Sequence, residues 1–195
     1  LRVLFAYQKW LEFEGVELDV QCPAINPNSM IEIFQPLGEG HFNNLRLLLV
    51  GAVGSGNKGH LWLLQLLQSA LKDIPNDAVG MRPIRLQFAG LETANYAALT
   101  RVVIKQAEEL LGAQFAWHPA CSKEQIFQDM SRSNLLVNCS LKEAFSCVCS
   151  EAMALGLPLL RVQNGGFEEQ LVPEATGFDL GCPSAEIRPE QVQLI

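Results

Sequence analysis

The chain reads as an α/β protein, a doubly wound parallel sheet with helices on both faces. Apolar runs too short for helices, at residues 45–50, 84–89, 134–138 and 159–162, alternate with longer stretches whose apolar residues recur at helical spacing. That alternation implies β-α-β units and therefore parallel pairing. Glycine or small polar residues stand where several runs hand over to a helix, as such units require. With 195 residues, 49% apolar and 18% charged, the chain can bury one full core and is too apolar for disorder.

In chain order, residues 1–6 read as a strand with no polar lead-in, so the sequence looks like a piece of a longer protein. A helical pattern follows near residues 8–14, then a strand over 18–22 closed by Pro23. Residues 26–29 and 35–40, rich in Pro, Gly and Asn, are loops. Leu45-Arg-Leu-Leu-Leu-Val50 has the near-continuous apolar character of a strand buried on both faces. A glycine loop leads from it into a helix over 58–71. Strand 84–89, helix 94–111, strand 114–117, helix 123–131 and strand 134–138 come next. The segment between Glu143 and Glu151 opens a further helix, which Gly156 and Pro158 stop. Residues 159–162 are a strand, 167–172 a short helix and 176–180 the last strand.

Ligands of doubly wound sheets sit beyond the carboxyl ends of the strands. Two loops on that edge carry chemistry. Gly54-Ser-Gly-Asn-Lys-Gly59 fits GxGxxG, after a strand and before a helix. A dinucleotide site would need an acid about 20 residues further on, but Glu92 comes more than thirty residues later. Lys58 precedes Gly59 and His60 rather than Ser or Thr, so this is no P-loop. The readings are a phosphate cradle with Lys58 as counter-charge, a flexible turn or, against that missing acid, a nicotinamide or flavin site. The second loop, Glu143-Ala-Phe-Ser-Cys-Val-Cys-Ser-Glu151, enters a helix with a carboxylate at each end. Acids accept sugar hydroxyls, and free amides at a helix start hold phosphate. Singly, Glu143 is a solvated loop acid and Glu151 a first-turn acid favoured by the helix dipole. Together they point to a nucleotide-activated sugar.

Several neighbours have two readings. Ser140 and Ser146 are either site hydroxyls or caps. His118 ends a strand at the same edge and suits packing or catalysis. His60 is a phosphate contact or a first-turn residue, and Phe145 a core anchor or a base-stacking ring. A net charge of −7 with no Lys/Arg run argues against nucleic acid. No run of 18 apolar residues is present, so a soluble domain is expected. The six cysteines (Cys22, Cys121, Cys139, Cys147, Cys149 and Cys182) read as buried free thiols of a reducing compartment. Cys147-Val-Cys149 lacks a second pair or a nearby His, so no metal site is expected. No nucleophile elbow and no Asp-x-Asp pair occur.

Four segments together resemble the carboxyl-terminal, donor-binding domain of retaining GT-B-fold glycosyltransferases of the family-4 type (group 1). They are residues 48–59, Phe88-Ala-Gly90, the two-glutamate segment running on to Pro158, and Gly165-Gly-Phe-Glu-Glu-Gln170 with Thr176-Gly-Phe178. The resemblance implies a Rossmann-like nucleotide-sugar-binding domain over 16–181. Residues 1–15 would be a remnant of the acceptor domain, and 182–195 a linker or frayed end. It further implies sugar transfer from a nucleotide-sugar to a saccharide or lipid-linked acceptor, with no cofactor or metal, in a cytoplasmic protein. Membrane contact would come only through the missing part.

By the same resemblance, Lys58 holds the donor diphosphate, Glu143 contacts the transferred sugar and Glu151 the ribose. Gly51, Gly54 and His60 belong to the donor loop, and amides near Phe145, Ser146, Cys147 and Val148 assist with phosphate. Gly90 and the segment 117–123, with His118, line the base. Two departures stand out: Ala52 replaces an arginine that many members carry, and Ser146 replaces a glycine. Arg161 or His60 would then be the substitute cation. The alternative is a catalytically degenerate module that keeps only binding or a scaffold role.

Overall fold

The computed structural model describes residues 44–72, 84–143, 145–164, 170–172 and 175–182. The elements expected over 1–6, 8–14 and 18–22, residues 167–169 of the helix expected over 167–172, and the terminal segments 1–15 and 183–195 lie outside the described residues. The elements are β1 (Leu45–Val50), α1 (His60–Lys72), β2 (Ile84–Ala89), α2 (Ala97–Leu111) and β3 (Phe115–His118). Then come α3 (Lys123–Ser131), β4 (Leu135–Asn138), α4 (Cys147–Ala154), β5 (Leu159–Arg161) and β6 (Gly177–Asp179).

These six strands form one parallel sheet in the order β3-β2-β1-β4-β5-β6. The alternation of side chains along each strand sorts the core into two layers. Leu47 and Leu49 of β1, Leu86 and Phe88 of β2 and Val137 of β4 pack with α1 and α2. Leu48, Leu136 and Leu159 point the other way, against Met130 of α3 and Cys149, Ala152 and Met153 of α4. Both faces are covered, which explains why β1 carries apolar residues at consecutive positions.

Helix boundaries follow local chemistry. The expected helix at 58–71 begins instead at His60, because Gly56–Lys58 closes a separate 3-10 turn that Gly59 ends. α2 starts at Ala97 for a similar reason, after the 3-10 turn Ala94–Tyr96. Ser122 caps α3, its hydroxyl accepting from the Gln125 amide, and Ser146 caps α4 through the Cys149 amide.

The order of strands decides where a ligand can sit. From β1 the chain moves outward to β2 and β3, then returns to place β4 on the other side of β1. The loops after β1 and β4 therefore leave neighbouring strands for helices on opposite faces. In doubly wound sheets a ligand crevice lies between such loops, at the switch point.

Candidate functional site

The loop after β1 is built to present Lys58. Its 3-10 turn is closed by the Lys58 amide donating to the Ser55 carbonyl at 3.1 Å. The lysine stem then folds back over Gly51, where an added Cβ would lie 3.2 Å from Lys58 Cδ. Gly54 is buried against α2, since a Cβ there would meet Thr100 Oγ1 at 2.4 Å. Thr100 Oγ1 in turn donates to the Val53 carbonyl at 2.8 Å, tying the loop to that helix.

Across the switch point, Lys58 Nζ meets Glu143 Oε2 at 2.9 Å, with side chains 30% and 18% exposed. An ammonium has three N–H donors, so this pair leaves two for an incoming anion. The Glu143 loop runs directly into α4. Ser146 is held there from several sides. Its amide donates to Gln170 Oε1 at 3.1 Å, its carbonyl accepts from Gln170 Nε2 at 3.1 Å, and its hydroxyl accepts from Asn138 Nδ2 at 3.1 Å. Among the described residues the amides of Cys147 and Val148 have no acceptor. They are the open donors of a helix N-terminus and suit a phosphate. Phe145 is 41% exposed beside them and anchors no core.

Glu151 differs from the sequence reading. α4 begins at Cys147, so Glu151 lies beyond the first turn and is only 6% exposed. It is ion-paired with Lys123, the first residue of α3. Gly90 caps β2 at the same edge, its amide donating to the His118 carbonyl at 3.0 Å. The His118 ring, partly exposed, lies 3.1 Å from Asp129 Oδ2.

His60 is placed inside the core. It is 2% exposed, meets Phe88 edge-on at 4.8 Å between ring centroids, and among the described residues both ring nitrogens lack a partner. Burial, and secondarily the Lys58 charge, lower its pKa from 6.5 to about 4. A neutral ring brings no charge to a diphosphate. Because the folded pKa is the lower one, the unfolded chain takes up the proton first. Stability from this group is full above pH 6.5 and falls as the pH drops from 6.5 to about 4. The shift corresponds to about 3 kcal/mol. Unfolding free energies from urea denaturation at pH 7 and pH 4 should differ by about 3 kcal/mol less in His60→Phe than in the parent.

The thiols divide by burial. Cys139 and Cys149 are buried, and burial pushes the Cys149 thiol up to about 11 and Cys139 higher still. Cys147 and Cys182 are exposed, contrary to the expectation of buried thiols. Cys147 occupies the first position of α4, whose side chain points off the helix into solvent. Arg161, the other candidate cation, is 3% exposed and pairs in register with Asn138.

Residues 23–187 match the family model of the glycosyl transferases group 1. The chain belongs to that family. Its fold is shared with a glycosyltransferase from Rickettsia africae ESF-5, at TM-score 0.64 and 19% identity over 85% of this chain and 43% of that one. It is shared equally with Anabaena Alr3699/HepE, solved with UDP and glucose, at TM-score 0.64 and 18% identity over 83% and 44%. The C-terminal domain of the group 1 protein LpcC from Francisella tularensis aligns at TM-score 0.61 and 16% identity, over 78% and 80%. This chain thus spans under half the length of the first two and most of the third. At these identities the likeness establishes the fold, the carboxyl-terminal Rossmann-like half of GT-B. A search of curated proteins finds no match.

In this group 1 chain, the residue that joins the two loops is one the sequence did not single out. Asn57 Oδ1 accepts from the Lys142 amide at 3.0 Å, and its Nδ2 donates to the Lys142 carbonyl at 2.9 Å. The Leu141 amide adds a bond to the Asn57 carbonyl at 2.7 Å. This clasp sits next to both Lys58 and Glu143 and sets their spacing. Asn57→Ala should cost about 1–2 kcal/mol for two lost hydrogen bonds, read as a lower urea midpoint. Lys123 and Gln170 were also missed as partners. No local pattern marks them, because their partners lie 28 and 24 residues away.

Proposed function

We propose that the chain is the donor-binding half of a glycosyltransferase that moves a sugar from a nucleoside-diphosphate sugar to a saccharide or lipid-linked acceptor. The observation that carries this is the 2.9 Å Lys58–Glu143 pair across the switch-point crevice, beside the open amides of α4. One cation and a helix start can share the charge of a diphosphate, and a carboxylate within reach of the same lysine can accept a sugar hydroxyl. As the glycosidic bond breaks, negative charge grows on the departing diphosphate. Lys58 and the amides of Cys147 and Val148 stabilise that charge and lower the barrier. Glu151, held by Lys123, is assigned to the ribose, and the edge at Gly90 and His118 to the base. Retention of the anomeric configuration and action without a catalytic metal follow the family resemblance.

The acceptor would be held by a domain outside this chain, so the isolated chain should bind donor but transfer nothing. Action in the cytoplasm, with any membrane contact made through that other domain, belongs to the same proposal. Among the described residues no helix is long and apolar enough to cross a membrane. UDP is the first nucleotide to test, since the Anabaena neighbour was solved with it.

The test is a thermal-shift screen with UDP, GDP, ADP and NADH, followed by calorimetry. A nucleoside diphosphate at 100 times its Kd should stabilise the fold by about 2.7 kcal/mol through mass action. Stabilisation by NADH with no response to any diphosphate would sink the proposal. Ala52, where many relatives carry an arginine, favours a second reading in which binding persists without catalysis. Donor hydrolysis by the full-length protein that disappears in Glu143→Ala selects the enzyme. Binding without any such turnover selects the degenerate module.

A further inference from the structure

The turn between β3 and α3 collects three metal-ligating side chains, of which His118 also lies on the edge assigned to the base. His118 closes β3, Cys121 sits in the turn, and Asp129 lies near the end of the second turn of α3. Their ligand atoms all lie within 4.8 Å of one another. His118 Nδ1 and Asp129 Oδ2 are 3.1 Å apart. Nitrogen and oxygen ligands of a tetrahedral zinc stand about 3.3 Å apart, so this pair is already at the right separation.

The cluster also has the electrostatics of a cation site. Asp129 is 3% exposed, and among the described residues no lysine or arginine is paired with it. A buried carboxylate needs compensation. Oδ1 of Asp129 is fixed by Gln125 Nε2 at 3.0 Å, while Oδ2 faces the ring. Gln87 Nε2 lies 3.0 Å from the same His118 Nδ1, so this ring nitrogen faces into the cluster. The Cys121 thiol makes a 3.3 Å bond to the His118 carbonyl, weak enough to give up. Ring, thiol and carboxylate are a donor set that suits zinc.

The geometry points to a Zn²⁺ site in which His118 Nδ1, Cys121 Sγ and Asp129 Oδ2 bind one ion, with water as the fourth ligand. On binding, the Cys121 S–H bond breaks, a Zn–S bond forms and the proton leaves to solvent. The Gln87 amide gives way at Nδ1, whose lone pair binds the metal with the ring proton carried on Nε2, and Gln125 remains as the outer partner of the carboxylate. The ion pins the turn 119–122 to α3, whose first residue, Lys123, holds Glu151. None of this depends on the donor reading, and the test needs no nucleotide.

The full chain, reduced and stripped of metal, is titrated with Zn²⁺ against a chromophoric chelator, with Co²⁺ as a spectroscopic stand-in. One ion per chain is expected, with a thiolate-to-cobalt charge-transfer band. Mg²⁺ and Ca²⁺, which prefer oxygen ligands, should not compete. Cys121→Ser should abolish the band and weaken binding by more than about 100-fold, beyond the range of outer-partner changes. Its metal-free melting temperature should match the parent's, showing that it folds. Gln125→Ala, which spares all three ligands, should weaken binding by about 10-fold. The site is refuted if no ion is retained or if Mg²⁺ displaces it. A band and affinity unchanged in Cys121→Ser would assign the ion to the exposed Cys147 or Cys182 and refute it equally.

Discussion

Lys58→Ala is expected to weaken nucleoside-diphosphate binding by about 10- to 150-fold while leaving the fold nearly as stable as before. The magnitude follows from one charge-assisted contact, worth about 1.5–3 kcal/mol. The stability side follows from exposure. The Lys58–Glu143 pair keeps 30% and 18% of its side-chain surface in solvent, and such pairs contribute only about 0–1 kcal/mol. The two readouts therefore separate, and this is what distinguishes a ligand-facing lysine from a structural one. Raising the salt should weaken the parent's binding more than the variant's, because the lost contact is electrostatic. Lys58→Arg should keep part of the affinity, since it retains the charge but not the compact ammonium. Calorimetry showing equal diphosphate affinity in parent and Lys58→Ala would remove the lysine from the site. A large loss of melting temperature would instead make Lys58 a structural residue.

Gly59→Ala should destabilise the fold by about 2–5 kcal/mol, with the proposed donor site lost as a consequence. Gly59 has φ +69°, in the left-handed region, where a Cβ costs about 1–2 kcal/mol. The space is closed as well. An added Cβ would lie 2.1 Å from the Cys139 carbonyl oxygen, a backbone atom at the start of the β4–α4 loop. Backbone cannot swing aside as a long side chain can, so the two loops must part or the turn must reform. Overpacking of this kind adds about 1–3 kcal/mol. Parting the loops also pulls Asn57 from Lys142 and so separates Lys58 from Glu143. Urea denaturation gives the stability loss. A Gly56→Ala control, at a position where a Cβ meets nothing within 4 Å, should change little. If both alanine variants unfold at the same urea concentration, the close approach at Gly59 carries no weight.

Period and punctuation alone located the described elements. β1, β2 and α3 begin and end where the sequence places them, because Leu45–Val50 and Ile84–Ala89 are bounded apolar runs and Ser122 is a capping residue. The parallel class follows from alternation, and the placement of Lys58 and Glu143 on the ligand edge follows from their loops. Those properties depend on residues close in sequence. The strand order is of another kind: only the folded sheet sets β4 beside β1. That order brings Lys58 within 2.9 Å of a carboxylate 85 residues away. It also gives Asn57 the Lys142 backbone, gives Glu151 the cation Lys123 on another helix, and turns His60 from the loop into the core. Local pattern specifies what each segment becomes. The pairing of distant side chains waits on packing, since the hydrophobic term that assembles the layers fixes their positions but does not name their polar partners.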